Sequence, residues 1–175
     1  MELWDLYDRD RNPLGRTHLR GTPVPEGCYH IVVHVVIFNT RGEMLIQQRQ
    51  PFKEGWPNLW DITVGGSAIA GDDSRSAAQR EVMEEIGLPI DLTDEMPKIT
   101  LPFDCGFDDI YTLTMDVDLT TLTLQESEVQ AVRWATEEDI LALMADGQFL
   151  PYQPHLIRLL FAMKDSRGAH VSKLG

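Results

Sequence analysis

The sequence has few of the features that mark secreted or membrane proteins. It contains only two cysteines in 175 residues, and Cys28 and Cys105 form neither a disulfide framework nor a metal-ligand spacing. The longest apolar run, residues 31–38, is too short to cross a bilayer and contains a histidine. The first residues lack the basic and apolar segments of a signal peptide. We therefore expect a cytoplasmic protein with no membrane partner.

Positive charge is also scarce. There are 15 lysines and arginines against 28 aspartates and glutamates, which gives a net charge of −13 and a pI of about 4.6. Such a chain repels phosphate backbones, and no basic cluster offsets the repulsion. We expect no nucleic-acid partner. A small phosphorylated ligand would need cations at its site.

The order of predicted elements indicates an α/β fold. The length suits one domain, and no linker or repeat interrupts it, so we predict a single domain over residues 1–175. Alternation and turn residues predict strands near 3–7, 16–19, 30–38, 44–49, 59–64, 99–103, 110–117 and 129–134. Capping residues and periodicity predict helices near 74–87, 136–147 and 155–164. Strands interleaved with helices favour a mixed sheet between helices, an α/β/α sandwich.

The first predicted helix gathers acidic side chains. At about 100° per residue, Glu81, Glu84 and Glu85 lie within a wedge of roughly 100°. These like-charge pairs each cost roughly 0.2–0.5 kcal/mol, a repulsion that a divalent cation would remove. The preceding Gly65-Gly66 permits a tight turn that brings a backbone carbonyl near the helix. The alternative is an ordinary solvated acidic face.

The segment from Gly66 to Leu88 resembles the Nudix box, G-x5-E-x7-R-E-U-x-E-E-x-G-U, in which U is a bulky aliphatic residue. Eight of nine fixed positions match, and the exception is Asp72, where the pattern has glutamate. The matching residues are Gly66, Arg80, Glu81, Val82, Glu84, Glu85, Gly87 and Leu88.

The resemblance implies the Nudix fold and hydrolysis of a diphosphate link in a small molecule, with Mg²⁺ as cofactor and Mn²⁺ as a substitute. It implies metal ligation by Glu81, Glu84, Glu85 and the Gly65 carbonyl. Glu81 and Glu84 would be catalytic, Glu81 as a ligand or the general base, and Arg80 would orient the glutamates. The oligomeric state stays open, with a homodimer common in the family.

Four residues outside the box are further candidates. Glu128 precedes a strand in a region where many family members carry an additional acidic ligand or base. Arg49 and Lys53 could pair with a substrate phosphate, and Trp56 could stack on a ring. The alternatives are an exposed acid for Glu128, surface charges for Arg49 and Lys53, and core packing for Trp56.

Two other functions are compatible with this scaffold. The N-terminal segment and the Trp56–Trp60 stretch resemble the isopentenyl-diphosphate isomerase branch of the superfamily. Those isomerases need a cysteine and a histidine where this chain has Gly65 and Ser67, which argues against isomerisation. A non-catalytic ligand sensor is the second alternative, but it would not need to retain the like-charge cluster.

Overall fold

A computed structural model describes residues 2–166 and 168–170. The chain divides into two compact units, a first of residues 1–35 and 64–111 and a second of residues 36–63 and 112–175. In chain order the elements are β1 (Leu3–Tyr7), β2 (Pro13–Leu19), β3 (His30–Phe38), β4 (Met44–Arg49), β5 (Trp60–Asp61), β6 (Val64–Ser67), α1 (Ser74–Ile86), β7 (Ile99–Phe103), β8 (Gly106–Thr114), β9 (Val129–Ala135), α2 (Glu137–Ala145) and α3 (Pro154–Met163). Strands β3 and β8 each continue from the first unit into the second.

In the first unit, β1 and β2 form an antiparallel hairpin. The start of β3 pairs antiparallel with β6, so that His34 lies opposite Gly65, and β7 pairs with β8. Helix α1 contacts β6. Its apolar stripe of Ala78, Val82 and Ile86 is fully buried, which agrees with the helical periodicity of the sequence.

In the second unit, β4 is the central strand. It pairs antiparallel with β5 and β9 and, at Met44, with the end of β3. Within β4, Met44, Leu45 and Ile46 are fully buried, as their apolar character predicts. Helix α2 begins after Thr136, the predicted N-cap, which forms a capping box with Asp139.

The predicted α/β class is confirmed, and most predicted elements are present within one or two residues of their bounds. Three strands differ more: β2 begins at Pro13 rather than at residue 16, the strand predicted at 59–64 is divided into β5 and β6, and the strand predicted at 110–117 is observed at 106–114. A strand was predicted to stop at Gly65-Gly66, but β6 runs through both glycines to Ser67 because β3 supplies its hydrogen-bonding partner. Residues 104–109 were predicted to lie between two strands, yet Gly106–Asp109 belong to β8.

No helix among the described residues has the length and apolar character needed to span a bilayer. This agrees with the short apolar runs of the sequence. The prediction that residues 1–175 form one domain stays a prediction.

Candidate active site

Two glycines of β6 bring the backbone close to functional side chains in the first unit. A Cβ added to Gly66 would overlap the carboxyl group of Glu81, with every separation under 3.0 Å. A Cβ added to Gly65 would lie 2.7 Å from Nδ1 of His34. Glycine at both positions therefore makes room for the Glu81 carboxylate and the His34 ring.

The start of helix α1 is held by a capping box. The Asp73 side chain accepts a hydrogen bond from the Ser76 amide at 2.8 Å, and the Ser76 hydroxyl accepts one from the Asp73 amide at 2.9 Å. The helix ends at Gly87, which adopts a left-handed conformation with φ of 67°. The two caps fix the first and last residues of the helix. They thereby help to set the direction in which its glutamate side chains point.

Arg80 lies at the centre of the acidic cluster. Its guanidinium donates to Asp72 at 3.0 Å, to Glu81 at 2.9 Å and to Glu84 at 3.1 Å, and it also donates to the Ser67 carbonyl at 3.1 Å. Burial alone would lower the pKa of Arg80, but the adjacent carboxylates of Glu81 and Asp72 outweigh it and raise the pKa above its ordinary value. Asp72 therefore reaches the arginine although it is one methylene shorter than the glutamate of the box pattern.

The three box glutamates differ in exposure. Glu84 is exposed, the Glu81 side chain is only 13% exposed, and Glu85 is buried. Burial raises the pKa of Glu81, while the neighbouring Arg80 opposes that rise. Within residues 2–166 and 168–170, no three acidic, histidine or cysteine side chains are arranged as a ready metal site. Glu81 and Glu84 both accept hydrogen bonds from the Arg80 guanidinium.

The four candidates outside the box all belong to the second unit. Lys53 and Glu128 form an ion pair with each other. Arg49 donates to the Gly55 carbonyl at 3.1 Å and lies 3.7 Å from the Asp61 carboxylate.

The alternative of core packing for Trp56 is wrong, because its side chain is 52% exposed. Its backbone has a positive φ of 54°, an uncommon conformation for a bulky residue. Trp56 lines a mostly apolar cavity of about 560 Å³ in the second unit, together with Leu59, Met144, Tyr152 and Arg158.

Sequence reasoning missed a buried polar network in the first unit. The Asp109 side chain is 1% exposed and accepts two hydrogen bonds from Arg11, at 2.9 and 2.7 Å. It also accepts bonds of 2.6 Å from the hydroxyls of Ser74 and Thr100. Because Arg11 and Asp109 are 98 residues apart, no local pattern could have joined them.

A second missed contact lies beside the glycines of β6. Nε2 of His34 is 3.3 Å from the Asp108 carboxylate. The predicted strands left residue 108 outside the sheet, so this contact was not expected from the sequence.

Comparisons with known proteins identify the family. Residues 29–157 match the model of the NUDIX domain. An uncharacterised Nudix hydrolase of Listeria innocua is 47% identical over 170 residues, which cover 97% of this chain and 99% of the relative. An isopentenyl-diphosphate Delta-isomerase of Nocardia farcinica is 28% identical, covering 89% of this chain and 91% of that protein.

Solved structures agree with this result. The crystal structure of a Deinococcus radiodurans protein superposes with a TM-score of 0.73 at 26% identity, and the match covers 90% of this chain and 98% of that chain. The predicted Nudix fold is confirmed. Three findings agree: the box glutamates lie together on α1, the family match covers 129 consecutive positions, and a relative matches over nearly its full length. They show that this chain belongs to the Nudix hydrolase family.

Proposed function

We propose that the chain is a Mg²⁺-dependent hydrolase that cleaves a diphosphate linkage in a small nucleoside-diphosphate-type or other organic diphosphate. The observation that supports this most is the gathering of Glu81, Glu84 and Glu85 on one helix, with Glu81 against Gly66. A solvated acidic face would not need a buried glutamate or a glycine that makes room for it.

The residues at this site fit a hard divalent cation. All of the side-chain donors are carboxylates, the ligand type that Mg²⁺ prefers. Gly66 lacks the Cβ that would fill the space at Glu81, and Gly65 has a backbone carbonyl available as a further ligand. We assign the metal to Glu81, Glu84, Glu85 and the Gly65 carbonyl, with Glu128 as a further candidate. When bound, Mg²⁺ would neutralise phosphate oxygens and lower the pKa of the attacking water.

The protein's own groups supply the remaining chemistry. Glu81 would serve either as a metal ligand or as the general base that accepts the proton of the attacking water. Arg80 would orient Glu81 and Glu84, since it donates to both. Water attacks one phosphorus, the bond from that phosphorus to the bridging oxygen breaks, and two phosphate-bearing products leave.

Substrate binding is assigned to Arg49, Lys53 and Trp56. The first two would pair with phosphate oxygens and the third would stack on a ring or other flat group. Because Lys53 is paired with Glu128, its contact with phosphate would require that ion pair to open. The exposed indole of Trp56 needs no such rearrangement.

A diphosphate screen tests the proposal. The purified protein is incubated with Mg²⁺, with Mn²⁺ or with a chelator and offered nucleoside diphosphates and triphosphates, nucleotide sugars, dinucleotides, ADP-ribose, coenzyme A and isopentenyl diphosphate. Metal-dependent release of two phosphate-bearing products, with oxygen from labelled water in one of them, supports hydrolysis.

Two results would contradict hydrolysis. Double-bond migration in isopentenyl diphosphate would support the isomerase alternative, which the Nocardia farcinica relative keeps relevant. Binding without turnover would support the sensor.

Glu84→Gln should abolish most turnover, and Glu138→Gln, which alters an exposed acid in the first turn of α2, is the matched control.

A further inference from the structure

The β1–β2 hairpin lies outside the region that matches the family model, which begins at residue 29. It nevertheless contacts the loop between β6 and α1 directly. The Leu3 carbonyl accepts a hydrogen bond from the Ala70 amide at 2.7 Å, and the Asp5 carboxylate accepts one from the Gly71 amide at 2.8 Å. Gly71 has φ of 93°, so this turn suits glycine alone.

The turn of the same hairpin reaches the start of α1 through a buried carboxylate. Arg11 binds Asp109 with both terminal nitrogens, and Asp109 accepts from Ser74, the first residue of α1. Arg11 adopts a positive φ of 64°, which is unusual for a residue with a long side chain, and its guanidinium lies 5.0 Å from the centre of the Phe107 ring. The arginine is therefore held in one orientation by two independent partners.

These two contacts bracket the residue that holds Arg80. The hairpin fixes the loop at Gly71 and the helix at Ser74, and Asp72 lies between them. Asp72 in turn accepts from Nε of Arg80, and Arg80 donates to Glu81 and Glu84. A shift of the loop would move Asp72 and weaken the hydrogen bond that it accepts from Arg80.

We propose that Asp5 and Arg11 are positioning residues for the Nudix box, acting through Asp72 on Arg80 and its glutamates. This inference rests on the proposed function for its effect on catalysis. Its structural part, the control of the Arg80–Asp72 contact by the hairpin, is independent of any substrate or metal.

The primary test measures the Arg80–Asp72 hydrogen bond itself. Solvent exchange of the Arg80 Nε–H is followed by NMR in the wild-type chain and in Asp5→Ala, Arg11→Ala, Asp5→Asn and Arg11→Lys. We expect exchange to accelerate about 3- to 10-fold in the two alanine variants, the factor that corresponds to losing one hydrogen bond. Asp5→Asn should restore slow exchange because its amide oxygen can still accept. Arg9→Ala, which changes an exposed arginine in the same turn, is the control that should match wild type.

The second readout is the division between kcat and KM. For a substrate identified in the screen, the alanine variants should lose about tenfold or more in kcat with KM within about twofold of wild type. If Arg11→Ala does not fold, Arg11→Lys replaces it, because one ammonium cannot form the paired contact with Asp109.

The outcomes separate the two proposals. Unchanged Arg80 Nε–H exchange in folded Asp5→Ala and Arg11 variants overturns the positioning role, whatever the activity. Accelerated exchange with unchanged kcat also overturns it, because the contact would then not matter for catalysis. If wild type turns over none of the diphosphates, the proposed function fails, and the exchange rates still decide whether the hairpin controls Arg80.

Discussion

The carboxyl group of Glu81 lies where the side chain of any larger residue at position 66 would have to begin. An added Cβ would overlap that group, so Gly66 and Glu81 can occupy this arrangement only together. The pair links strand β6 to helix α1. Gly66 of the Nudix box is therefore required for steric reasons. Four predictions concern this site and the residues around it.

Gly66→Ala should impair catalysis more than folding. The overlapping atoms belong to the end of the flexible Glu81 side chain, which can rotate away. The Glu81 carboxylate would then no longer lie against strand β6. We expect a loss of roughly 100-fold in kcat, because a displacement of about 1 Å can cost that much. Steady-state kinetics and thermal unfolding of the same preparation check this. Full activity in the alanine variant would show that Glu81 acts from another position.

Glu85→Gln should lose most Mg²⁺-dependent turnover while the fold survives. The substitution preserves the shape of a buried side chain but removes its negative charge. Loss of a metal ligand should cost at least the roughly 10- to 100-fold seen for groups that only support ligands. Turnover is measured across a Mg²⁺ titration, with Glu138→Gln as the control. Wild-type turnover at every Mg²⁺ concentration would remove Glu85 from the ligand set.

Arg80→Lys should be far more damaging than Asp72→Glu. Arg80 uses three nitrogens to reach Asp72, Glu81, Glu84 and the Ser67 carbonyl, and a lysine ammonium cannot reproduce that planar arrangement. Asp72→Glu restores the box pattern and should be tolerated or slightly stabilising. Comparing kcat and Tm for the two variants tests the order. A large loss in Asp72→Glu would show that the shorter acid has a role of its own.

Asp109→Asn should change how stability depends on pH. Burial favours protonation of Asp109, but hydrogen bonds from Arg11, Ser74 and Thr100 outweigh it and hold its pKa below the ordinary value. A lowered pKa in the folded state stabilises the protein above the unfolded pKa of about 3.9. That contribution disappears as the pH falls through the folded pKa.

At neutral pH, Asp109→Asn should therefore be less stable than wild type by about 1–3 kcal/mol, and the difference should shrink in acid. This difference in the free energy of unfolding is measured by urea unfolding of both proteins, from neutral pH to the lowest pH at which they fold. Asp104→Asn, at an exposed neighbouring position, should follow wild type throughout. A difference between wild type and Asp109→Asn that does not vary with pH would show that the charge of Asp109 is not what stabilises the fold.

Local patterns predicted the elements whose stability is mainly local. Strand β3 has the bounds expected from its β-branched residues, and β4 has those expected for the strand that returns after it. Helix α1 has the expected start at Ser74 and stop at Gly87. The spacing of Glu81, Glu84 and Glu85 likewise follows from helical geometry alone.

Other features depend on partners far away in the chain. Two glycines weaken β6 as an isolated segment, and only its pairing with β3 makes it a strand. Asp109 stands in a stretch that resembles an acidic loop, and its burial depends on an arginine in the N-terminal hairpin. No periodicity within the segment could have predicted this, because the segment itself contains no positive charge.

The β1–β2 hairpin changes what counts as a complete catalytic fragment. A truncated protein cut to the 29–157 boundaries of the family match would keep every residue of the Nudix box. It would lose the carboxylate that holds Gly71 and the guanidinium that neutralises Asp109. Boundaries drawn from sequence similarity alone would therefore leave the buried Asp109 without its counter-charge.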